Sequence, residues 1–516
     1  MISIIKSYFN EFFKINPGGA YNYSHHKYLF NETLLDNKNR NNNLKLNEKY
    51  LLNLKKININ KLNKDDLIDY NLFKDHLELE IDEHKYDLRL KDPSIFLPHN
   101  SIQEFLISDF KNKKAIILSR IDTQIKNLNI GIKILKNSNK IIKIWLDNSI
   151  YMSSNVDFFD ELKNKIKFSK NELIKVDKLK KTVEKYLKFL KTLYNQSIDN
   201  YGIGKSRFSK ILKKSKYINQ NINELLKLGQ NELKKYKSEM KKIANKNNCT
   251  IEQFFKKIDK KIIKKDKLIE ITKKITLDSK KFIIKNKLFE INHKEKLIVM
   301  KTPKQLEKQF PAAAYVPPRM DDKKQIGRYF ITTPRTKEEL AHMNLHELKL
   351  TSVHEAFPGH HLQMSTIHNT KFKNNILRQF LASITFVEGW GLYCEKLMVD
   401  TGFSKTDYDK FLMYKMRALR ACRIIIDINT NCNNWTYKKA WKFLKKHTMI
   451  PESRAKGECF WYSQRPTYPM SYLIGAHIIE KARDENVLKN KMDYITFHKK
   501  ILSYGNLPAQ IIANYL

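Results

Sequence analysis

Between residues 111 and 292, Leu, Ile, Tyr and Phe recur at three- and four-residue steps among lysines, as through Val183–Tyr194 and Ile222–Ile243. That period lays apolar side chains along one face of an α-helix, so the stretch predicts long amphipathic helices. Residues 1–110 predict a short first helix, a loop at Asn16–Ala20, and further polar helices broken by Asn-rich turns. The Asn37–Asn43 run is expected to be one such surface loop. Y-G-I-G at Tyr201–Gly204 is the clearest interruption, and no internal repeat is present.

The pattern changes near Leu297. L-I-V-M-K-T-P, A-A-A-Y-V-P-P and G-R-Y-F-I-T-T-P are short β-prone runs, each closed by proline. They predict a small antiparallel sheet. Two helices are expected next, over about 345–370 and 376–400, followed by further helices to the C-terminus. An aromatic, proline-rich loop is expected at Gly457–Pro469. The fold class is therefore mainly α, with the sheet beside a helical body. Residues 1–296 form an N-terminal helical region and 297–516 a second region, in one continuous body.

The scarcity of glycine (14) and proline (13) agrees with helices joined by short loops. The formal net charge is +43, from 97 basic and 54 acidic residues. A charge of that sign invites a nucleic-acid or membrane reading. The distribution argues against both. The lysines are spread over whole helices, while residues 351–400 hold four basic and four acidic groups. No nucleic-acid-binding motif is present. Five cysteines with no C-x-x-C and no paired framework, and an N-terminus without a cleavable apolar core, place the chain in the cytoplasm as an expectation. No apolar run is long enough to span a bilayer, and no membrane partner is expected.

The chemistry concentrates in H-E-A-F-P-G-H-H-L-Q, His354–Gln363. Imidazoles hold a hydrolytic metal, and a carboxylate takes a proton from water beside it. His354 is the first candidate ligand and Glu355 the candidate general base. In H-E-x-x-H the second histidine returns to the same helix face, but here that position is Pro358. A regular helix would choose His361, seven residues on, whereas a break at Pro358–Gly359 would swing His360 inward. The residues alone leave both open. Glu388, in F-V-E-G-W-G-L-Y-C-E, is the candidate third ligand. Glu395, seven residues later on the same face, suits a carboxylate behind a ligand histidine. Tyr462 and Tyr472 are candidate donors to an oxyanion. Arg465 is a candidate partner for a substrate carboxylate, and Arg328 with Tyr329 a candidate sheet edge for an extended peptide. The pair His346–Glu347 reads as a solvated turn.

The two motifs together resemble the bacterial domain-of-unknown-function 885 family, related to gluzincin metallopeptidases of the thimet oligopeptidase and Taq carboxypeptidase kind. S-Y-F-N-E-F-F-K-I-N-P near the start, Y-G-I-G-K-S-R-F in mid-chain and A-A-A-Y-V-P-P extend the resemblance over the whole chain. It implies an elongated, multi-helix, metallopeptidase-like body with a cleft. It also implies one zinc ion on His354, His360 and Glu388, with Glu355 as base and short peptides as substrates; His361 and Glu395 are then expected behind the ligands. Four departures stand out: Asn429 and Asn431 after R-I-I-I-D, Trp461 for an arginine, and Tyr468 for a glutamine. They keep a second expectation open, a relative that binds metal and peptide without turnover. A third is a basic nucleic-acid-binding protein.

Overall fold

The computed structural model describes residues 1–516 except 108–109, 156, 260–262, 293, 304–306, 308–311, 320–323 and 335–343. The chain divides into two compact units, Met1–Tyr201 and Gly202–Leu516.

The first unit contains helices α1 (Ile2–Ile15), α2 (Asn37–Lys55), α3 (Lys64–Tyr86), α4 (Lys113–Leu135), α5 (Lys143–Ser153) and α6 (Lys170–Lys191). It also holds shorter helices at His99–Ile107 and Asp157–Lys165 and a two-residue parallel pair, β1 (Ile141–Ile142) and β2 (Ser197–Ile198). Ile5, Tyr8, Phe9 and Phe13 are the buried face of α1, at the spacing the sequence predicts. The Asn37–Asn43 run is helical, not the expected loop. Asp36 caps α2 by accepting the Asn39 N–H at 2.7 Å, and the amides of Asn39 and Asn43 reach Ile15 O and Asn16 Oδ1, which ties the run to the end of α1.

The second unit carries the motifs. Its helices include α7 (Ile222–Lys246), α8 (Leu268–Lys285), α9 (Leu345–Glu355), α10 (His360–Ile367) and α11 (Ile384–Asp400). After them come α12 (Asp407–Cys432), α13 (Tyr437–Thr448), α14 (Glu452–Ser463), α15 (Tyr468–Arg483) and α16 (Tyr494–Leu502). Capping boxes at Asn221/Glu224 and Thr406/Asp409 start α7 and α12, which pack along each other. The expected aromatic loop is mostly helix: α14 runs through Gly457 to Ser463, and only the residues around Pro466 turn.

The three β-prone runs become β3 (Lys296–Lys301), β4 (Ala313–Val316) and β5 (Ile326–Ile331). Their order is β3-β5-β4. The pairing is mixed where an antiparallel sheet was expected: β4 runs antiparallel to β5, but β3 runs parallel to it. The strand between them in sequence takes the outer position, which leaves β3 and β5 pointing the same way.

Helices α11 and α15 touch backbone to backbone. A Cβ on Gly389 would lie 2.6 Å from Gly475 C, and one on Gly475 would lie 1.8 Å from Thr385 O. Only glycine at both positions permits this approach, which brings the start of α15 against Glu388.

His498 on α16 shows how firmly this core is set. Its Nδ1–H donates to Leu288 O at 2.7 Å, its other nitrogen meets the Tyr393 hydroxyl at 2.7 Å, and its ring stacks on Phe289 with centroids 3.9 Å apart. Burial pushes its pKa down to about 3. The unfolded chain takes that proton near pH 6.5 and the folded chain refuses it, so this contribution is complete above pH 6.5 and is lost as pH falls toward 3. The expected loss is about 2 kcal/mol by pH 5. Melting temperature should fall between pH 7 and pH 5, and less steeply in His498→Phe. Equal slopes in the two proteins would refute the assignment.

Candidate metal centre

Asn344 starts α9 by accepting the Glu347 N–H at 2.8 Å. The helix ends at Glu355 because Pro358 disfavours helical backbone just before it. A four-residue break follows, and α10 begins at His360. The break is held from three sides. Gly359 N–H donates to Val353 O at 3.0 Å, Trp390 Nε1–H donates to Pro358 O at 2.9 Å, and the Ser279 hydroxyl donates to Phe357 O. A Cβ on Gly359 would meet His354 O at 1.8 Å. The last turn of α9 thus faces the first of α10, and the rings of His354 and His360 lie 4.7 Å apart at 85°.

Helix α11 presents Glu388 to this pair. Glu388 Oε2 is 3.4 Å from His354 Nε2 and 3.6 Å from His360 Nε2. One ligand atom from each of the three residues lies within 4.8 Å of the others. Donors placed about 2 Å from one tetrahedral ion stand about 3.3 Å apart, so these two separations suit a single ion. The space for the His354 ring exists because residue 391 is glycine: a Cβ there would lie 2.4 Å from His354 Cε1.

Behind the ring, Glu395 Oε1 is 2.8 Å from His354 Nδ1. That contact assigns the proton to Nδ1 and leaves the Nε2 lone pair for a metal. Arg420 lies 3.9 Å from the same carboxylate. Burial opposes a charge on His354, but Glu388 and Glu395 outweigh it and raise its pKa to about 10. Burial likewise opposes the charge on Glu388, and the two histidines overcome it, holding the carboxyl well below its usual range. Glu388 therefore stays ionised, and an incoming cation displaces a proton from His354.

Glu355 turns toward the sheet, where Oε2 accepts the Tyr315 N–H of β4 at 2.8 Å. On the other side, the Tyr468 hydroxyl donates to Glu388 Oε1 at 3.2 Å. One turn on, Tyr472 is half-buried. Burial, and then the nearby Glu388 charge, keep it protonated far above neutrality. Arg423 lies 4.4 Å over its ring.

Several expected residues are placed elsewhere. His361 does not join the cluster. It bonds Glu295 Oε2 at 2.5 Å and the Tyr315 hydroxyl at 3.2 Å, so it braces the strand that holds Glu355 rather than a ligand. Tyr462 is closed off as an oxyanion donor: it is buried, donates to Glu458 at 2.6 Å and accepts from Arg423 at 2.9 Å. Tyr329 and Arg328 lie on β5, the central strand, so they offer no edge, and Tyr329 is buried against Ser352. Among the described residues, β4 is the strand with one side open beside Glu355. Arg465 is exposed, with its guanidinium 5.2 Å over Trp461. His346 is buried and paired with Asp409 at 2.7 Å, not a solvated turn.

Tyr468 and Tyr315 were missed. Tyr468 and Tyr472 stand four apart at a helix start, which puts them on one face and is a readable signal. Tyr315 acts through its backbone, which no side-chain pattern announces. The departures Trp461 and Tyr468 pack together edge to face at 4.8 Å. Asn431 donates to Asp427 one turn back, and Asn429 to Ile425 O.

Two solved structures share this architecture over nearly their whole length. One is described as a "putative lipoprotein of unknown function" from Shewanella oneidensis. It is 19% identical, with a TM-score of 0.84, over 99% of this chain and 98% of that one. The other, a "putative lipoprotein" from Colwellia psychrerythraea, is 16% identical, with a TM-score of 0.82, over 99% and 97%. No curated protein matches the chain. The description of those two proteins overturns the cytoplasmic expectation. Three of the five cysteines carry no signal of compartment: Cys394, Cys422 and Cys459 are buried, and burial pushes their thiols up, which makes them unreactive. Residues 132–516 match the family model described as "Bacterial protein of unknown function (DUF885)", and the chain belongs to that family.

Proposed function

We propose that this protein is a zinc-dependent hydrolase of short peptides, related in chemistry to the gluzincin metallopeptidases. The observation that carries the reading is the convergence of His354 Nε2, His360 Nε2 and Glu388 Oε2, with the Glu355 carboxylate on the residue next to His354. When bound, a zinc ion supplies Lewis acidity and makes water nucleophilic near neutral pH. The remaining work falls to the chain. Tyr315 N–H fixes one oxygen of Glu355 and leaves the other to take a proton from the attacking water and return it to the leaving amine. Tyr468 holds Glu388 in place. Tyr472 offers a protonated hydroxyl to the carbonyl oxygen of the scissile bond. The outer edge of β4, beyond the Tyr315 N–H that Glu355 occupies, offers backbone groups for an extended peptide to pair with. The naming of the two structural relatives favours work at a membrane surface or outside the cytoplasm.

A second reading, metal and peptide binding without turnover, is favoured by Tyr462 being locked between Glu458 and Arg423. One experiment separates the two. The purified protein is analysed for zinc and incubated with a mixed oligopeptide library, and products are identified by mass spectrometry. The expected result is one zinc per chain, with cleavage stopped by a chelator and restored by zinc. Zinc-loaded protein that cleaves no more than the metal-free protein would sink the peptidase reading.

A further inference from the structure

The surface around α13 stands apart from the other lysine-rich helices. Helices α6, α7 and α8 mix acids among their lysines, as at Glu184, Glu232 and Asp278. Helix α13 has five lysines and no acid, and none occurs from Ile428 to Pro451. Lys445 is paired with Glu452 at 2.9 Å. Lys438, Lys439, Lys442 and Lys446 are exposed, and among the described residues they have no ion pair.

Aromatic side chains are interleaved with them. Trp435, Tyr437, Trp441 and Phe443 are half-buried, each packed inward on the core of the unit with part of the ring at the surface. Two of the five tryptophans of the chain lie here. The Lys439 ammonium sits 4.6 Å over Trp435 and that of Lys456 4.9 Å over Trp441. Thr436, Lys438, Lys439, Lys442, Phe443 and Lys446 line an open groove of about 440 Å³.

We propose that this face docks on an anionic phospholipid surface, with headgroup phosphates among the four lysines and the indole rims at the level of the headgroups. Charge complementarity supports it, as does the pairing of indoles with lysines, which suits the boundary between water and acyl chains. Single-stranded nucleic acid is the poorer fit, because bases need open ring faces to stack on, and here lysine ammoniums lie over the two indoles. The contact is peripheral, since no described helix is long and apolar enough to cross a membrane. The inference stands independently of the peptidase reading.

The test uses the full chain and vesicle co-sedimentation at about 0.1 M salt, where exposed charges farther than about 10 Å apart are screened from one another. Vesicles are phosphatidylcholine alone or with phosphatidylglycerol. Each lysine near an anionic surface is worth about five-fold in affinity. Replacing Lys438, Lys439, Lys442 and Lys446 by glutamine should therefore weaken binding to the anionic vesicles by more than about 100-fold, and neutral vesicles should not bind wild type. The control replaces Lys178, Lys181, Lys185 and Lys188 on α6, also exposed, and should change binding little. Equal loss in both quadruple variants would show only the net charge and overturn the proposal. So would wild type that ignores anionic vesicles, or an α13 variant that loses binding to a single-stranded oligonucleotide but not to vesicles.

Discussion

Glu355→Gln is expected to lower peptide hydrolysis by about 10³-fold, within the range for loss of a positioned proton acceptor, while leaving zinc content and melting temperature unchanged. The amide has the size of the carboxylate and keeps an oxygen for the Tyr315 N–H, so the tie between α9 and β4 survives. Glu355 is not among the three converging donors, so the metal should stay. What is lost is the ability to take a proton from water. The measurement is product formation from the most readily cleaved library peptide, beside elemental analysis of the same samples. A variant as active as wild type would place the base elsewhere. A variant that has lost zinc would mean Glu355 helps hold it.

Gly391→Ala should lower zinc affinity by about 100-fold, the scale seen when the support of a ligand histidine is removed. The new Cβ would lie 2.4 Å from His354 Cε1 and 2.6 Å from Nε2, closer than any real contact. The ring cannot retreat freely, because Nδ1 is bonded to Glu395 and the His360 ring stands 4.7 Å away. Either Nε2 leaves its position or the Glu395 bond breaks. Alanine is otherwise the better helix former by about 1 kcal/mol, so the loss traces to the imidazole. Competition against a chromophoric zinc chelator reads the effect. Gly457→Ala, where a Cβ meets nothing within 4 Å, is the control. Unchanged affinity in Gly391→Ala would remove His354 Nε2 from the donor set.

Much of the second unit was readable because its signals are local. The three proline-closed runs are strands where the pattern places them, and the period of three and four residues marks the long helices. Glu395 was readable behind His354 because a seven-residue step keeps two side chains on one helix face. The failures share a cause. Asn37–Asn43 has a loop composition, but amide bonds to Ile15 and Asn16 settle it as helix. Tyr329 looked like an edge residue because strand order is a long-range choice. Tyr462 looked like a free phenol because Arg423 reaches it only through packing from 39 residues away, although Glu458, one turn before it, was a local signal.

By itself, the sequence determined the helical class, the positions of the strands, and which residue types capable of holding and serving a metal sit in two short segments. Those properties follow from periodicity and composition, which each segment carries alone. The tertiary structure decided between His360 and His361. Ser279 and Trp390 reach in from elsewhere in the chain to pin the break at Phe357–Gly359, which turns His360 toward His354, while Glu295, 66 residues from His361, draws that ring away. It also set Tyr468 against Glu388, through the close approach of Gly389 and Gly475, and placed Tyr462 between Glu458 and Arg423. Packing between distant segments aims side chains, and no local pattern encodes that aim.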